Sequence, residues 1–173
     1  MAGFEIGQVD VSTAQAGLMK SRQMRQNDIV AVVEIEQAAN QHPWSTKNFE
    51  DCLKAGHQAW VFVNDNEELL GYTIVQQVVD EAHLLNICVK PSFQGQGMGR
   101  KILNHVIDFA NSISSVLIVL EVRRSNNRAQ QLYLNSGFNE MSVRKNYYPA
   151  EQGREDAILM GMDLDLLSLF SEK

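Results

Sequence analysis

Asn86-Ile87-Cys88-Val89-Lys90-Pro91-Ser92-Phe93-Gln94-Gly95-Gln96-Gly97-Met98-Gly99-Arg100 is the stretch on which the reading of this chain turns. An apolar strand-like run stops at Pro91, crosses alternating glycines at 95, 97 and 99, and passes into Lys101-Ile102-Leu103, which starts a helix. Without Cβ atoms at the glycines, a bulky anion can approach the backbone, and the N–H groups of the loop and first helical turn face one point with the helix dipole behind them. Arg100 stands at the rim of what reads either as a phosphate cradle or as a flexible strand-to-helix turn. A Rossmann fingerprint spaces its glycines G-x-G-x-x-G and a Walker loop closes on Gly-Lys-Ser/Thr, and Gly95-Gln96-Gly97-Met98-Gly99-Arg100 fits neither.

The flanking segments alternate between short strands and helices. Residues 1–17 are polar, small and weakly patterned, and read as a flexible extension. A short edge strand is expected within residues 18–25. Asn27 or Asp28 can cap a helix running to about residue 40, with Val30, Val33, Ile35 and Ala38 as its apolar positions. His42-Pro43-Trp44-Ser45 interrupts it, Ser45 can cap a second helix through Lys54, and Gly56 ends that one. Strands are expected at 59–63, 69–79 and 81–89, the first two joined as a hairpin through Asp65-Asn66-Glu67. Leu84-Leu85-Asn86-Ile87-Cys88-Val89 is apolar almost throughout, the pattern of a strand buried on both faces. The helix over 99–112 turns Ile102, Leu103, Val106 and Phe109 inward, and a second apolar strand spans 116–122. A helix from Asn126 or Asn127 carries Ala129, Leu132 and Tyr133 and ends at Gly137. Strands follow at 138–143 and 157–164, and 165–173 is a short tail. With no repeat and no second core, residues 18–164 form one mixed α/β domain.

Composition narrows the function classes. No apolar run approaches the roughly 20 residues that span a bilayer, and the first seven residues, Met1-Ala2-Gly3-Phe4-Glu5-Ile6-Gly7, lack the regions of a signal peptide. Cys52 and Cys88 are the only cysteines and both sit in apolar-patterned segments, so they read as reduced thiols of a cytoplasmic protein. The four histidines, His42, His57, His83 and His105, show no metal-ligand spacing, and no metal is expected. A net charge of −6 argues against nucleic acid as the main partner and would suit a cationic substrate, although mild acidity also serves solubility alone.

The pattern Gln94-x-x-Gly97-x-Gly99 after a Val-x-Pro strand end resembles the pyrophosphate loop of the GNAT family of N-acetyltransferases. Leu120-Glu121-Val122-Arg123, Ser125-Asn126, Ala129, Leu132-Tyr133 and Ser136-Gly137-Phe138 are similar to the next strand and helix of that family. Pro43-Trp44-Ser45, the run from Asp80 to Ile87, Arg144-Lys145-Asn146-Tyr147-Tyr148-Pro149 and Gly153-Arg154-Glu155-Asp156-Ala157 look like its ribosomal-protein alanine N-acetyltransferase subgroup. The likeness covers residues 18–164. It implies an α/β (α+β) GNAT fold: a mostly antiparallel sheet of six to seven strands, about four flanking helices, and a V-shaped splay between the two central strands. It further implies acetyl-CoA as cosubstrate and, as acceptor, the N-terminal alanine of the small-subunit ribosomal protein numbered eighteen. A lysine side chain or a small-molecule amine is the alternative acceptor, and a non-catalytic acyl-CoA-binding module is the alternative from another class. The expected assembly is a monomer or weak homodimer.

A carboxylate near the end of a buried strand is costly unless it is solvated or used. Glu121 could simply pair with Arg123 or Arg124. Acetylation, however, needs a neutral amine, an α-ammonium has a pKa of about 7.7–8.0, and a carboxylate raised by burial can take that proton. The resemblance gives Glu121 this role of general base. Tyr133 reads as a core tyrosine or, through the resemblance, as the general acid that protonates the departing thiolate. By the same likeness Ile87, Cys88 and Val89 pair through their backbone with the pantetheine arm, and Gln94, Gly95, Gln96, Gly97, Met98, Gly99 and Arg100 hold the pyrophosphate. Cys88 itself is read as an apolar wall residue rather than a nucleophile. Asn126 is a helix cap, a contact to CoA, or both. Trp44, Tyr147 and Tyr148 are placed at the substrate entrance, with a packed strand end as the competing reading of the tyrosine pair. Arg123, Arg124 and Arg128 could reach phosphates or be a solvated cluster. The family often has a basic residue where this chain has Gly95, which implies one missing side-chain charge and at most a weaker hold on CoA.

Overall fold

The computed structural model describes residues 19–165. The extension expected over 1–17 and nearly all of the expected tail at 165–173 lie outside the described residues. Seven strands form one sheet in the order β1-β2-β3-β4-β5-β7-β6. These are β1 (Lys20–Gln23), β2 (Gln58–Val63), β3 (Leu69–Val78), β4 (Glu81–Val89), β5 (Leu117–Arg123), β6 (Asn139–Pro149) and β7 (Arg154–Asp163). Every neighbouring pair is antiparallel except β4 and β5, which run parallel across a helical crossover.

The helices are α1 (Ile29–Ala39), α2 (Thr46–Lys54), α3 (Met98–Ser112) and α4 (Asn127–Leu134). Side-chain alternation along the strands divides the core in two. Trp60, Phe62, Val75 and Leu84 pack with Ile102, Leu103 and Val106 of α3, and with Ile118, Leu120 and Val122 of β5. Val61, Tyr72, Ile74 and Cys88 turn the other way, onto Ile29, Val32 and Ile35 of α1 and Phe49 of α2. At Gly71 a Cβ would stand 2.5 Å from the Cys88 carbonyl oxygen and 2.8 Å from Ile102 Cδ1, so glycine is what lets β3 seat against both β4 and α3.

Ser45 caps α2 by accepting from the Asn48 N–H, as expected, and Gly137 follows α4 at φ +97°. Several expectations are corrected. Asp28 occupies the N-cap position of α1 but accepts no N–H from that helix; its carboxylate turns back to accept from both Arg22 guanidinium nitrogens at 2.8 Å and from the Arg25 N–H at 2.7 Å. The inward face of α1 is Ile29, Val32, Ile35 and Glu36, whereas Val30 and Ala38 are exposed. The strand predicted to stop at 143 runs on to Pro149, and its partner begins at Arg154 rather than 157. Leu85, Asn86 and Ile87 are half-buried, not covered on both faces. The cause of this last difference shapes the site.

Candidate active site

β4 and β5 pair only from Glu81↔Leu117 to Leu84↔Leu120. On the other side of β4 the register with β3 slips between Ile74↔Asn86 and Val75↔Leu84, so Leu85 is bulged out. A bulge bends its strand and sharpens the twist. From Leu85 onward β4 keeps β3 as a partner but leaves β5, and its freed edge, with unpaired backbone groups, faces a cleft.

That cleft, of about 430 Å³, is lined by Ile87, Glu121, Asn126, Tyr133, Tyr148 and Trp44 among others. Strand alternation sends Leu120 and Val122 into the α3-side core that holds Tyr133, and Glu121 to the opposite face of the sheet. The two side chains reach one cleft because the sheet is parted between their strands. Tyr133 is 5% exposed, and burial pushes its phenol well above the ordinary tyrosine range, so the hydroxyl is a neutral donor. Asn126 accepts the Ala129 N–H at 3.1 Å, and its position on the cleft wall keeps both of its expected readings open.

Glu121 differs from expectation in its surroundings. Its side chain is 23% exposed and pairs with Arg144 Nη1 at 2.7 Å, not with Arg123 or Arg124, whose carboxylate partners are Glu155 and Asp156. The Glu121 carboxylate also takes the Tyr147 hydroxyl, which raises that phenol's pKa. Arg144, Tyr147 and Tyr148 come from β6 where three residues bulge, the register jumping from Arg144↔Ala157 to Tyr148↔Glu155. Asn146 at φ +53° makes that turn, and Arg154 holds it through the Asn146 and Tyr147 carbonyls at 2.8 and 2.6 Å. Arg123 stacks 4.4 Å from the Tyr148 ring centre and donates to the Pro149 carbonyl. Burial, then the Glu121 charge, raises Tyr148 to about 12. With Trp44, these aromatics wall a neighbouring pocket that also holds Glu81, His83 and Glu121.

The glycine loop borders an adjoining cleft of about 500 Å³, which shares Ile87, Asn126 and Tyr133 with the first. Gln94, Gly95, Gly97, Gly99 and Arg100 line it with Cys88 and Val89. Gly95 and Gly97 sit at φ +81° and +78° with no protein atom closer than 3.8 Å to either Cβ position, so the space above them is open. The first-turn N–H groups of α3 have no acceptor within the helix. The arrangement fits a diphosphate, with the strand edge of β4 beside it for an extended acyl arm. Met98 and Cys88 can offer such a ligand only their backbone, since both side chains are buried in the core. The Cys88 thiol is pushed up to about 12 by burial and is no nucleophile at neutral pH. Gln96 lies outside the lining and donates to the Ser92 carbonyl. No group of His, Cys, Asp and Glu among the described residues could hold a metal ion.

Three residues at this site were not anticipated as parts of it. Arg144 gives no local signal, because its pairing with Glu121 arises only where β6 bulges against β7. Glu36, 2% exposed, shows in sequence only as a charge on the helical face of Val32 and Ile35. It accepts from Tyr72 and Asn40 side chains and from the Trp44 N–H, and so pins the entrance residue Trp44. His83, 2.6 Å from Glu81, gave no spacing signal because its partner is two residues away across a strand face.

The fold and this site define a class, and the chain belongs to it: the acetyltransferase (GNAT) family model matches residues 29–138. The chain is 42% identical over 143 residues to the ribosomal protein bS18-alanine N-acetyltransferase of Escherichia coli strain K12, covering 80% of this chain and 93% of that one. It is 37% identical to the protein of the same name from Haemophilus ducreyi, over 80% of this chain and 96% of the relative. The crystal structure of the ribosomal-protein-S18-alanine N-acetyltransferase from Escherichia coli superposes with a TM-score of 0.79 at 38% identity, covering 85% of this chain and 94% of that one.

Proposed function

We propose that this protein is an N-acetyltransferase that moves the acetyl group of acetyl-CoA onto the N-terminal alanine amine of ribosomal protein bS18. The observation that carries the chemistry is the parting of β4 and β5, which opens one cleft to both Glu121 and the buried Tyr133 hydroxyl. The acceptor follows from the bS18-alanine N-acetyltransferases that the chain resembles over nearly their whole length. Residues 18–164 make up the catalytic domain. Its place of work is the cytoplasm, where a ribosomal protein such as the bS18 named for its relatives would be modified.

Glu121 takes a proton from the α-ammonium group, directly or through a water, at the pH where that group titrates, about 7.7–8.0. Arg144 keeps the carboxylate aimed into the pocket until the substrate cation competes for it. The amine lone pair then forms the C–N bond, the C–S bond breaks with its electron pair leaving on sulfur, and the nitrogen gives its second proton to solvent as the amide forms. Tyr133 gives its hydroxyl proton to that sulfur and regains one from solvent. Burial keeps the hydroxyl protonated at neutral pH but makes it a weaker acid than a thiol, so the transfer depends on its placement beside the sulfur as the C–S bond breaks. Backbone N–H groups of residues 87–89 polarise the carbonyl, residues 94–100 hold the diphosphate, and Trp44, Tyr147 and Tyr148 shape the entry of the peptide N-terminus.

The test incubates the protein and acetyl-CoA with peptides beginning Ala, Ser or Met, or carrying an internal Lys, and locates the acetyl group by mass spectrometry. Acetylation of the Ala N-terminus is expected, and it should fall by about 10²–10⁴-fold in Glu121→Gln and in Tyr133→Phe. Modification confined to lysine side chains would overturn the acceptor assignment.

A further inference from the structure

We infer that Arg128 is a phosphate-binding residue of the acyl-donor cleft, supplying from α4 the side-chain cation that the loop lacks at Gly95. The inference rests on the acetyl-CoA reading and adds a residue of this chain to it. Arg128 is the second residue of α4 and reaches back across the cleft mouth. Its Nη1 donates to Gln94 Oε1 at 3.0 Å, and Gln94 Nε2 in turn donates to the Val89 carbonyl at 3.0 Å. Its Nη2 lies 3.8 Å from the point where a Gly95 Cβ would stand, and among the described residues no other atom outside positions 94–96 comes within 4 Å of that point. The guanidinium therefore hangs over the glycine loop itself.

Its surroundings there differ from those of four other arginines. Arg22, Arg123, Arg124 and Arg144 each face a carboxylate within 4.0 Å. Arg128 has no such partner among the described residues, and its bond to Gln94 is to a neutral amide. A guanidinium has five N–H donors in a planar fork matched to phosphate oxygens, and most of these are left over. They border the same opening as Arg100 and the start of α3, where backbone N–H groups and the helix dipole already favour an anion. A basic side chain rooted at 95 would have to adopt φ +81°, which L-residues resist, whereas one rooted on α4 arrives without backbone strain. The charge expected to be missing at Gly95 is thus present, contributed by another element.

The competing role is a purely mechanical strut holding Gln94, and substrates with and without phosphate separate the two. Binding of CoA, 3′-dephospho-CoA and pantetheine is measured by titration calorimetry for wild type, Arg128→Ala and Arg128→Lys, with thermal unfolding as a check on the fold. Arg128→Ala is expected to weaken CoA about fivefold to tenfold, an exposed charge-assisted contact, and to lower the CoA-to-pantetheine preference by the same factor. Arg128→Lys should recover part of that loss. A loss that persists with 3′-dephospho-CoA places Arg128 on the diphosphate, and one that vanishes places it on the 3′-phosphate; either supports the inference. Unchanged CoA affinity, or an equal loss on pantetheine, overturns it. Wild-type protein that fails to bind CoA overturns the donor reading instead, which is a different result from a variant that binds as tightly as wild type.

Discussion

Replacing Tyr72 by Phe removes a single oxygen from a fully buried polar group. Tyr72 is fully buried, its ring edge-on to Phe49 at 5.4 Å, and its hydroxyl donates to Glu36 Oε2 at 2.5 Å. The same carboxylate accepts from Asn40 Nδ2 at 2.5 Å and from the Trp44 N–H at 3.0 Å. Burial drives the Tyr72 phenol far above its ordinary range, so it is always a donor. Phenylalanine keeps the ring packing, and the loss is the hydrogen bond to a charged acceptor, worth about 1.5–3 kcal/mol. Urea unfolding by linear extrapolation should show that loss with an unchanged m-value. Because Glu36 pins Trp44, the KM for peptide should rise while that for acetyl-CoA holds. A stability change below about 0.5 kcal/mol, the size of an ordinary surface substitution, would refute the reasoning.

Gly71→Ala should cost about 3 kcal/mol, the upper end of overpacking, because the added methyl meets a backbone carbonyl; Gly161→Ala, whose nearest neighbour is the movable thioether of exposed Met141, should cost under about 1 kcal/mol in the same denaturation assay. Asp28 is held below the ordinary aspartate range, first by its hydrogen bond from Arg22. The pair therefore stabilises the fold fully above the unfolded-state pKa of about 3.9 and ceases to do so as pH falls through the lower folded value. Asp28→Asn should accordingly be less stable than wild type by about 1 kcal/mol at pH 7, and the gap should close only in acid below about pH 4, as followed by thermal melts across pH. Cys88, raised to about 12, should resist thiol reagents at pH 8 until the protein is unfolded, and rapid labelling of the native protein would contradict its burial.

Much of the architecture could be read along the chain because it is governed by local rules. Alternating glycines after Pro91, a Ser45 cap and a terminating Gly137 have the same consequence wherever they occur. Val30 and Ala38 of α1 are exposed although they extend the apolar stripe of Val33 and Ile35, because only the sheet beneath chooses which face turns inward. β6 was cut short because Arg144-Lys145-Asn146 reads as a loop, whereas its partner β7 holds that segment as a bulge within a continuous strand. The environment of Glu121 was equally out of reach, since Arg144 is 23 positions away in sequence and its pairing depends on how that bulge aims its side chain.

The sequence alone determined the glycine loop, the order of strands and helices, and the presence of a carboxylate and a tyrosine on the elements that follow, since these are properties of residues and their near neighbours. Tertiary structure decided what those residues can do together. The bulge at Leu85 parts β4 from β5, lets Glu121 and Tyr133 reach one cleft from opposite faces of the sheet, and frees a strand edge beside the loop. Tertiary packing likewise sets Arg128 of α4 over Gly95, though the two are 33 residues apart in the chain. Such contacts depend on long-range packing, which no local pattern encodes.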